Sequence, residues 1–507
     1  MDHRFNRRVV VALPVAITLA GLASSEPAVA QNATPIAGTS SDWPLYGKNL
    51  LGDKAASESR LTVSTVGSLV PLWQVEVGGP ISATPVIADG VVYVGSYDGN
   101  LYALDLRTGE LRWRYATGAT VLEPNLKIPL GITGSAAVIG DTVYAGDATA
   151  TVHAVDVATG KARWTTKVDD QPQASIWSSP VVSQGRVYIG VASVAKEVGF
   201  RGSVVALHAA TGKIAWQTYM VPKGADGAGV FEVPAIDEQR GRLYVGTQNA
   251  YTANPAPYGN PISVVALDIE NGEVTWAFNA PPGGGHTAPT EDVAFSASPN
   301  LFSAEIGGRQ RDLVGEGQKS GVYWALDRDT GDVVWKSTVS PAGFLGGMEG
   351  TSAVGNGMIV VPATNWPDAN GPAAGMVTGL DAATGKTVWS AKQSAPAASP
   401  AAISNDLVFH AGLDGILHAY DLAGGEEVWH QDLGASVSGG IALADDVVVL
   451  GAGTPQFAPF IKPGNTIRAF GLSAYPATPT SARPALSTPP PATPPLGTPP
   501  AVTPRAG

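Results

Sequence analysis

The chain has 507 residues, 44% of them hydrophobic, which is enough for a large core. It has no cysteine, and so no disulfide, no lipid-anchoring cysteine and no Cys-x-x-Cys-His haem attachment. Its formal net charge of −12 argues against nucleic acid or an anionic membrane as partner.

Residues 1–30 read as a signal peptide. Arg4, Arg7 and Arg8 form the charged start, Val9 to Ala20 the apolar centre, and Ala28-Val29-Ala30 a small-x-small cleavage site before Gln31. The apolar run is shorter than the ~20 residues that a membrane span needs, so no transmembrane anchor is expected after cleavage. Arg7-Arg8 leaves twin-arginine export open beside the general route. The mature protein is expected in the periplasm or outside the cell. Residues 31–65 form an N-terminal lead that contains Asp42-Trp43-Pro44-Leu45-Tyr46-Gly47.

From residue 66 onward the chain repeats itself. Ala103-Leu-Asp105-Leu-Arg-Thr108-Gly109-Glu-Leu-Arg-Trp113 returns as Ala154, Asp156, Thr159, Gly160, Trp164, and as Ala206, His208, Thr211, Gly212, Trp216. Later copies end at Trp276, Trp335, Trp389 and Trp429, most of them after a hydrophobic run such as Val92-Tyr93-Val94-Gly95. A period of roughly 40–60 residues with short strand-like runs predicts propeller blades. Within one copy, Asp opens a tight turn and Gly supplies the positive φ that closes it. The Trp of the next strand can bury about 150–250 Å² between neighbouring blades.

The two ends complete the count. Leu72-Trp73-Gln74-Val75 looks like the last strand of a blade that lacks its first three, whereas 437–472 has three strands and no Trp strand after them. Together they predict an all-β, eight-bladed propeller over residues 66–472, its last blade closed by an N-terminal strand. Residues 473–507 are rich in Pro, Thr and Ala and are expected to be a disordered tail. Insertions at 194–202, 249–261, 281–298 and 364–375 are the loops where function is expected.

The repeats, the start Asp42-Trp43-Pro44-x-Tyr46-Gly47 and the stretch Gly315-x-Gly317-Gln318-Lys319-Ser320-Gly321-Val322-Tyr323-Trp324-Ala325-Leu326-Asp327 resemble the quinoprotein alcohol dehydrogenases, and above all their polyvinyl-alcohol dehydrogenase branch. That resemblance implies a ring holding pyrroloquinoline quinone and Ca2+ on its axis. It implies oxidation of a small-molecule or polymeric alcohol, with electrons leaving to a separate acceptor such as a cytochrome c. Site residues follow from it one by one. Glu197, in Glu197-Val-Gly-Phe-Arg201-Gly202, and Asn249, in Gly246-Thr-Gln-Asn249, stand at the metal-ligand positions, and oxygen donors suit a hard cation. Arg201 belongs to the same cofactor-binding stretch. Phe231 stands where a Trp stacks under the quinone, and Asn365 at another cofactor contact. Lys319 matches a catalytic cation beside the quinone oxygen, where it would stabilise developing negative charge.

Departures from the pattern bear on the chemistry. The expected general base is Ala294, and Asp292, two residues back, is the substitute candidate. The adjacent cysteines that cover the quinone in methanol dehydrogenases are absent around 129–133, and Ser82 stands where those enzymes have Glu. His153, His208, His286, His410, His418 and His430 show no metal-ligand spacing. The alternative to an enzyme is a cofactor-free propeller that acts as a binding or assembly scaffold in the cell envelope.

Overall fold

A computed structural model describes residues 42–123, 128–194, 199–250, 259–281, 293–342, 346–366, 373–456 and 458–472. The proposed signal peptide and the Pro-rich tail lie outside these residues, as do Glu197, His286 and Asp292. The described residues form an all-β propeller of eight blades, each built on four antiparallel strands, two of the sheets carrying a fifth short strand. Blade 1 runs Val86–Ala88, Val91–Gly95, Asn100–Asp105 and Leu111–Ala116 from the axis outward. Blades 2 to 7 follow in chain order, with outermost strands Ala162–Lys167, Ile214–Tyr219, Val274–Asn279, Val333–Thr338, Thr387–Gln393 and Glu427–Asp432. Blade 8 takes Ile441–Ala444, Val447–Ala452 and Thr466–Leu472 from the end of the chain and Leu69–Glu76 from its beginning. Trp73 lies opposite Ala469 in that closing pair.

Burial follows position in the blade. The second strand of blade 1, Val91–Gly95, is buried throughout because blades cover both its faces. The outermost strand alternates half-buried and exposed residues, one face against the next blade and one in water.

The repeated Gly and the repeated Trp form one joint. Trp113 of blade 1 donates its indole N–H to Val157 O in the blade 2 turn at 2.7 Å. A methyl group on Gly160 of that turn would lie 2.7 Å from Trp113 Cδ2, and Gly160 has φ +66°. Glycine is thus required twice over, by conformation and by the ring that covers it. The same indole bond joins Trp73 to Leu106, Trp164 to Ala209, Trp216 to Ile269, Trp276 to Arg328, Trp335 to Ala382 and Trp389 to Leu422. The joint between blades 7 and 8 is different, because the two chain ends meet where the turn would be. There Trp429 meets Phe470 edge-on, centroids 6.4 Å apart, and the 3-10 turn Val66–Ser68 buries Val66 in the shared core.

Residues 42–60 cross the inner edges of the blades. Trp43 exchanges both backbone hydrogen bonds with Ile87 of blade 1, at 2.9 and 2.8 Å. Carbonyls of Pro44, Leu50, Leu51, Asp53 and Lys54 then accept from the innermost strands or their first residues at Val138, Ile236, Leu301, Val354 and Ile403. Ala55–Ala56 adds a parallel strand to the inner edge of blade 7, and Arg60 N–H reaches Asp445 O of blade 8. Strand edges that face the axis are thereby paired, and Tyr46 of this segment is brought to the central cavity.

Candidate functional site in the axial cavity

A cavity of about 400 Å³ lies on the ring axis and takes residues from every blade. Ser82, Thr133, Trp177, Phe231, Ser296, Glu349 and Ala398 line it. Each stands four residues before the first residue of its blade's innermost strand, at Val86, Ala137, Val181, Ala235, Asn300, Ala353 and Ala402. Blade 8 contributes Ser438 and Thr454. Seven blades use small or medium side chains at the next position, three before the strand: Ala83, Gly134, Ser178, Ala297, Gly350, Ser399 and Ser438. A methyl on Gly134 would collide with Ser178 O, and one on Gly350 with Ser399 O, so the neighbouring blade's backbone fills that space. Blade 4 alone carries a large ionisable residue there, Glu232.

Trp177 and Phe231 form an aromatic wall, with centroids 5.6 Å apart and planes at 37°. Glu232, next to Phe231, is 2% exposed. Its Oε1 accepts from Gln248 Nε2 at 2.9 Å, and that amide also donates to Phe295 O at 2.9 Å and Ser296 Oγ at 3.2 Å. Oε2 of Glu232 has no hydrogen-bond partner. Burial pushes the Glu232 carboxyl up to about 8, against a smaller opposing pull from hydrogen bonds and from Lys319. Glu316, on Arg309–Gly317 of blade 5, is buried with both oxygens unpartnered. Burial, with the Glu232 charge second, raises it well above the carboxylate range.

Lys319 Nζ pairs with Glu349 Oε1 at 3.2 Å, so the cation reaches the cavity through a lining carboxylate. Its stem is fixed by Gly346, where a methyl would lie 2.6 Å from Lys319 Cβ and Cγ. Gln318 braces the same turn, donating to Val293 O at 2.8 Å while its Oε1 accepts from Ser320 and Trp324.

Of the residues singled out from the sequence, Phe231 lines the cavity and Lys319 touches its lining. Asn365 ends the strand Met358–Asn365 and follows the lining residue Thr364. Arg201 is held elsewhere, its guanidinium 3.8 Å above the Tyr219 ring and bonded to Val221 O at 3.3 Å. Asn249 O accepts from Ala228 N at 2.9 Å, and neither Asn249 nor Arg201 is in the described lining. Ala294 is fully buried, its carbonyl accepting Lys319 N–H at 2.9 Å, and it is not in the lining either. Ser82 lines the cavity and donates to Thr133 O. His153, His410 and His418 are buried in local networks with Asp147, Gln393 and Asp414. Among the described residues no group of three His, Asp or Glu converges to hold a metal.

Glu232, Glu349 and Gly346 escaped the sequence reading. A signal for Glu232 existed, because its register position is small in every other blade.

The family described as outer membrane protein assembly factor BamB matches residues 70–197, 262–412 and 413–467, more than half of the chain. The chain belongs to this family of repeat propellers. Within it, the chain is of the quinoprotein alcohol dehydrogenase-like kind. It is 28% identical over 472 residues to a polyvinylalcohol dehydrogenase of Pseudomonas sp, covering 82% of this chain and 71% of the relative. It is also 28% identical to the quinohemoprotein alcohol dehydrogenase ADH IIB of Pseudomonas putida, over 65% of this chain and 51% of that protein. In structure the propeller resembles the quinohemoprotein alcohol dehydrogenase of Comamonas testosteroni, with a TM-score of 0.75 at 20% identity, covering 88% and 83% of the two chains. It resembles BamB from Moraxella catarrhalis less, with a TM-score of 0.54 at 14% identity over 80% and 99%. Among the described residues no helix is long and apolar enough to cross a membrane.

Proposed function

We propose that this propeller is an exported oxidoreductase that oxidises primary or secondary alcohols, small or polymeric, with pyrroloquinoline quinone held in the axial cavity. The observation that carries this reading is the cavity itself: about 400 Å³, walled by Trp177 and Phe231, and flanked by the Lys319–Glu349 pair. That volume and lining suit a flat fused-ring cofactor. Relatives named for alcohol oxidation support the same reading.

The residues present fit such a group with one condition. Phe231 and Trp177 offer flat apolar faces, and Lys319 a cation for an oxygen that gains negative charge. The hydroxyls of Ser179 and Ser298 line the same space and can donate hydrogen bonds, while those of Ser82 and Thr133 already donate to Thr133 O and Ile176 O and can only accept. Glu123 and Glu349 line it too, and as carboxylates would repel a cofactor that carries carboxylates of its own, whereas Glu232, pushed up to about 8, is mostly protonated at neutral pH. A bound Ca2+ offsets that repulsion, and Glu197 with Asn249 are the proposed ligands. When bound, the quinone supplies a two-electron oxidant. The chain orients it, excludes water and holds the substrate hydroxyl beside a proton acceptor. Electrons then pass to a separate acceptor such as a cytochrome c.

Reconstitution tests this. With quinone and calcium added, alcohols should reduce an artificial electron acceptor, and removing calcium with a chelator should weaken quinone binding at least tenfold. Glu197→Gln should give the same loss, because it removes a charged oxygen ligand. The scaffold reading is favoured by the assembly-factor likeness and by Ala294 at the expected base position. It predicts no quinone binding under any of these conditions.

A further inference from the structure

We propose that Glu232 is the catalytic residue that takes the hydroxyl proton of the alcohol in the axial cavity, in place of the carboxylate expected at position 294. The inference rests on the oxidoreductase reading above. Three observations carry it. Glu232 lines the cavity, whereas Ala294 is fully buried outside the described lining and offers only a methyl group. Gln248 fixes one carboxyl oxygen and is itself fixed by Phe295 and Ser296, so the carboxyl group is oriented rather than free to turn. Oε2 is buried, and Oε1 keeps a second lone pair to which an alcohol O–H in the cavity can donate.

The charges around Glu232 suit the role. Lys319 and Glu316 face it from blade 5, Tyr46 from the N-terminal segment, and Glu349 and Glu123 share its cavity. Burial leaves Glu232 titrating near neutrality, the range in which a carboxylate can both accept and release a proton. Burial and the neighbouring Glu232 charge both raise Glu316, which disfavours two adjacent charges.

The alcohol O–H bond breaks and its proton forms a new O–H bond on Glu232. A bound quinone would supply the two-electron oxidant for the carbinol hydrogen, which would leave with its electron pair as the C–O bond becomes C=O. Glu232 then returns its proton to solvent.

The full-length mature protein and its Glu232→Gln variant decide the matter in two stages. Quinone binding is measured first, by absorbance at calcium saturation. The variant should bind within about threefold of the unmutated protein, because Gln keeps the shape. Alcohol oxidation is measured second. Glu232→Gln should lower kcat about 10²–10⁴-fold, the usual worth of a general base, with little change in KM. It should also abolish the rise of kcat/KM with pH, and Glu232→Asp should recover part of the rate. A third reading needs no cofactor: the infrared band of a protonated carboxyl that titrates near pH 8 should vanish in Glu232→Gln. If quinone binds and the variant keeps kcat within threefold, or keeps the same pH profile, Glu232 is not the base. If quinone binds and no alcohol is oxidised, the proposal also fails. If the unmutated protein binds no quinone, the oxidoreductase reading falls and takes the proposal with it. Should Glu232→Gln not fold, Glu232→Asp carries the kinetic test, its pH profile shifting if the proposal holds and staying fixed if it does not.

Discussion

Glu232 and Glu316 are carboxyl groups that folding removes from water without giving every oxygen a donor. Both bind a proton in the folded state at pH values where the unfolded chain has lost it, since the ordinary value is 4.5 and Glu232 is pushed up to about 8. Stability therefore falls as pH rises from 4.5 to about 8, by roughly 1.4 kcal/mol per pH unit from Glu232, and Glu316 acts in the same direction. His410 has the opposite sign. Burial lowers it from 6.5 to about 4, so its contribution is lost as pH falls through that interval. Glu232→Gln should flatten the alkaline side of the stability curve while Glu316 keeps part of the slope. Chemical denaturation at pH 5 and pH 9 checks this, and an unchanged difference between the two would contradict it. Position 294 gives a second prediction at this scale. A carboxylate there would be fully buried beside the Lys319 backbone, so Ala294→Asp should cost about 3–5 kcal/mol and give no gain in alcohol oxidation. The family pattern makes 294 the obvious place to look in the sequence. Only the structure shows that its side chain is outside the described lining, because a repeat pattern gives register and not the direction of an insertion.

Blade joints belong to the scale of elements. The turn and the Trp strand were legible because each is local. Asp105 Oδ1 accepts from Arg107 N and Thr108 N, and Gly109 N–H closes on Asp105 O. The third copy replaces Asp with His208 and keeps the turn, because Gly212 N–H still bonds to His208 O at 2.8 Å. What the sequence hid is that each Gly is covered by the Trp of the preceding blade, a contact between residues about 45 apart, as for Trp113 and Gly160. Two glycine variants separate conformation from contact. Gly140 has φ +58° with nothing within 4 Å, so Gly140→Ala should cost only the left-handed backbone, about 1–2 kcal/mol. Gly160→Ala should cost that and a further 1–3 kcal/mol or so for displacing Trp113. Equal losses by thermal denaturation would mean that the indole is not part of the joint.

At the scale of the molecule, the ring is closed by pairing Leu69–Glu76 with Thr466–Leu472. This was legible because the first Trp strand has no partners before it and the last three strands have no Trp after them. The passage of residues 42–60 across the blades was not, since backbone carbonyls carry it and they leave no side-chain pattern. Deleting residues 31–78 should remove both the closing strand and the inner-edge pairing, and abolish cooperative unfolding of the whole ring. A truncated protein that melts as sharply and at the same temperature would contradict this. Axial convergence was likewise beyond the sequence, because much of the lining comes from one register position in seven of the blades and most of those residues are small. The chemistry proposed for the ring depends on a quinone in the axial cavity. Calorimetric titration of the unmutated mature protein with pyrroloquinoline quinone at calcium saturation tests it most directly. One quinone should bind per chain, and Phe231→Ala should weaken the interaction at least tenfold. Absence of any binding heat, with no change in melting temperature, would contradict it.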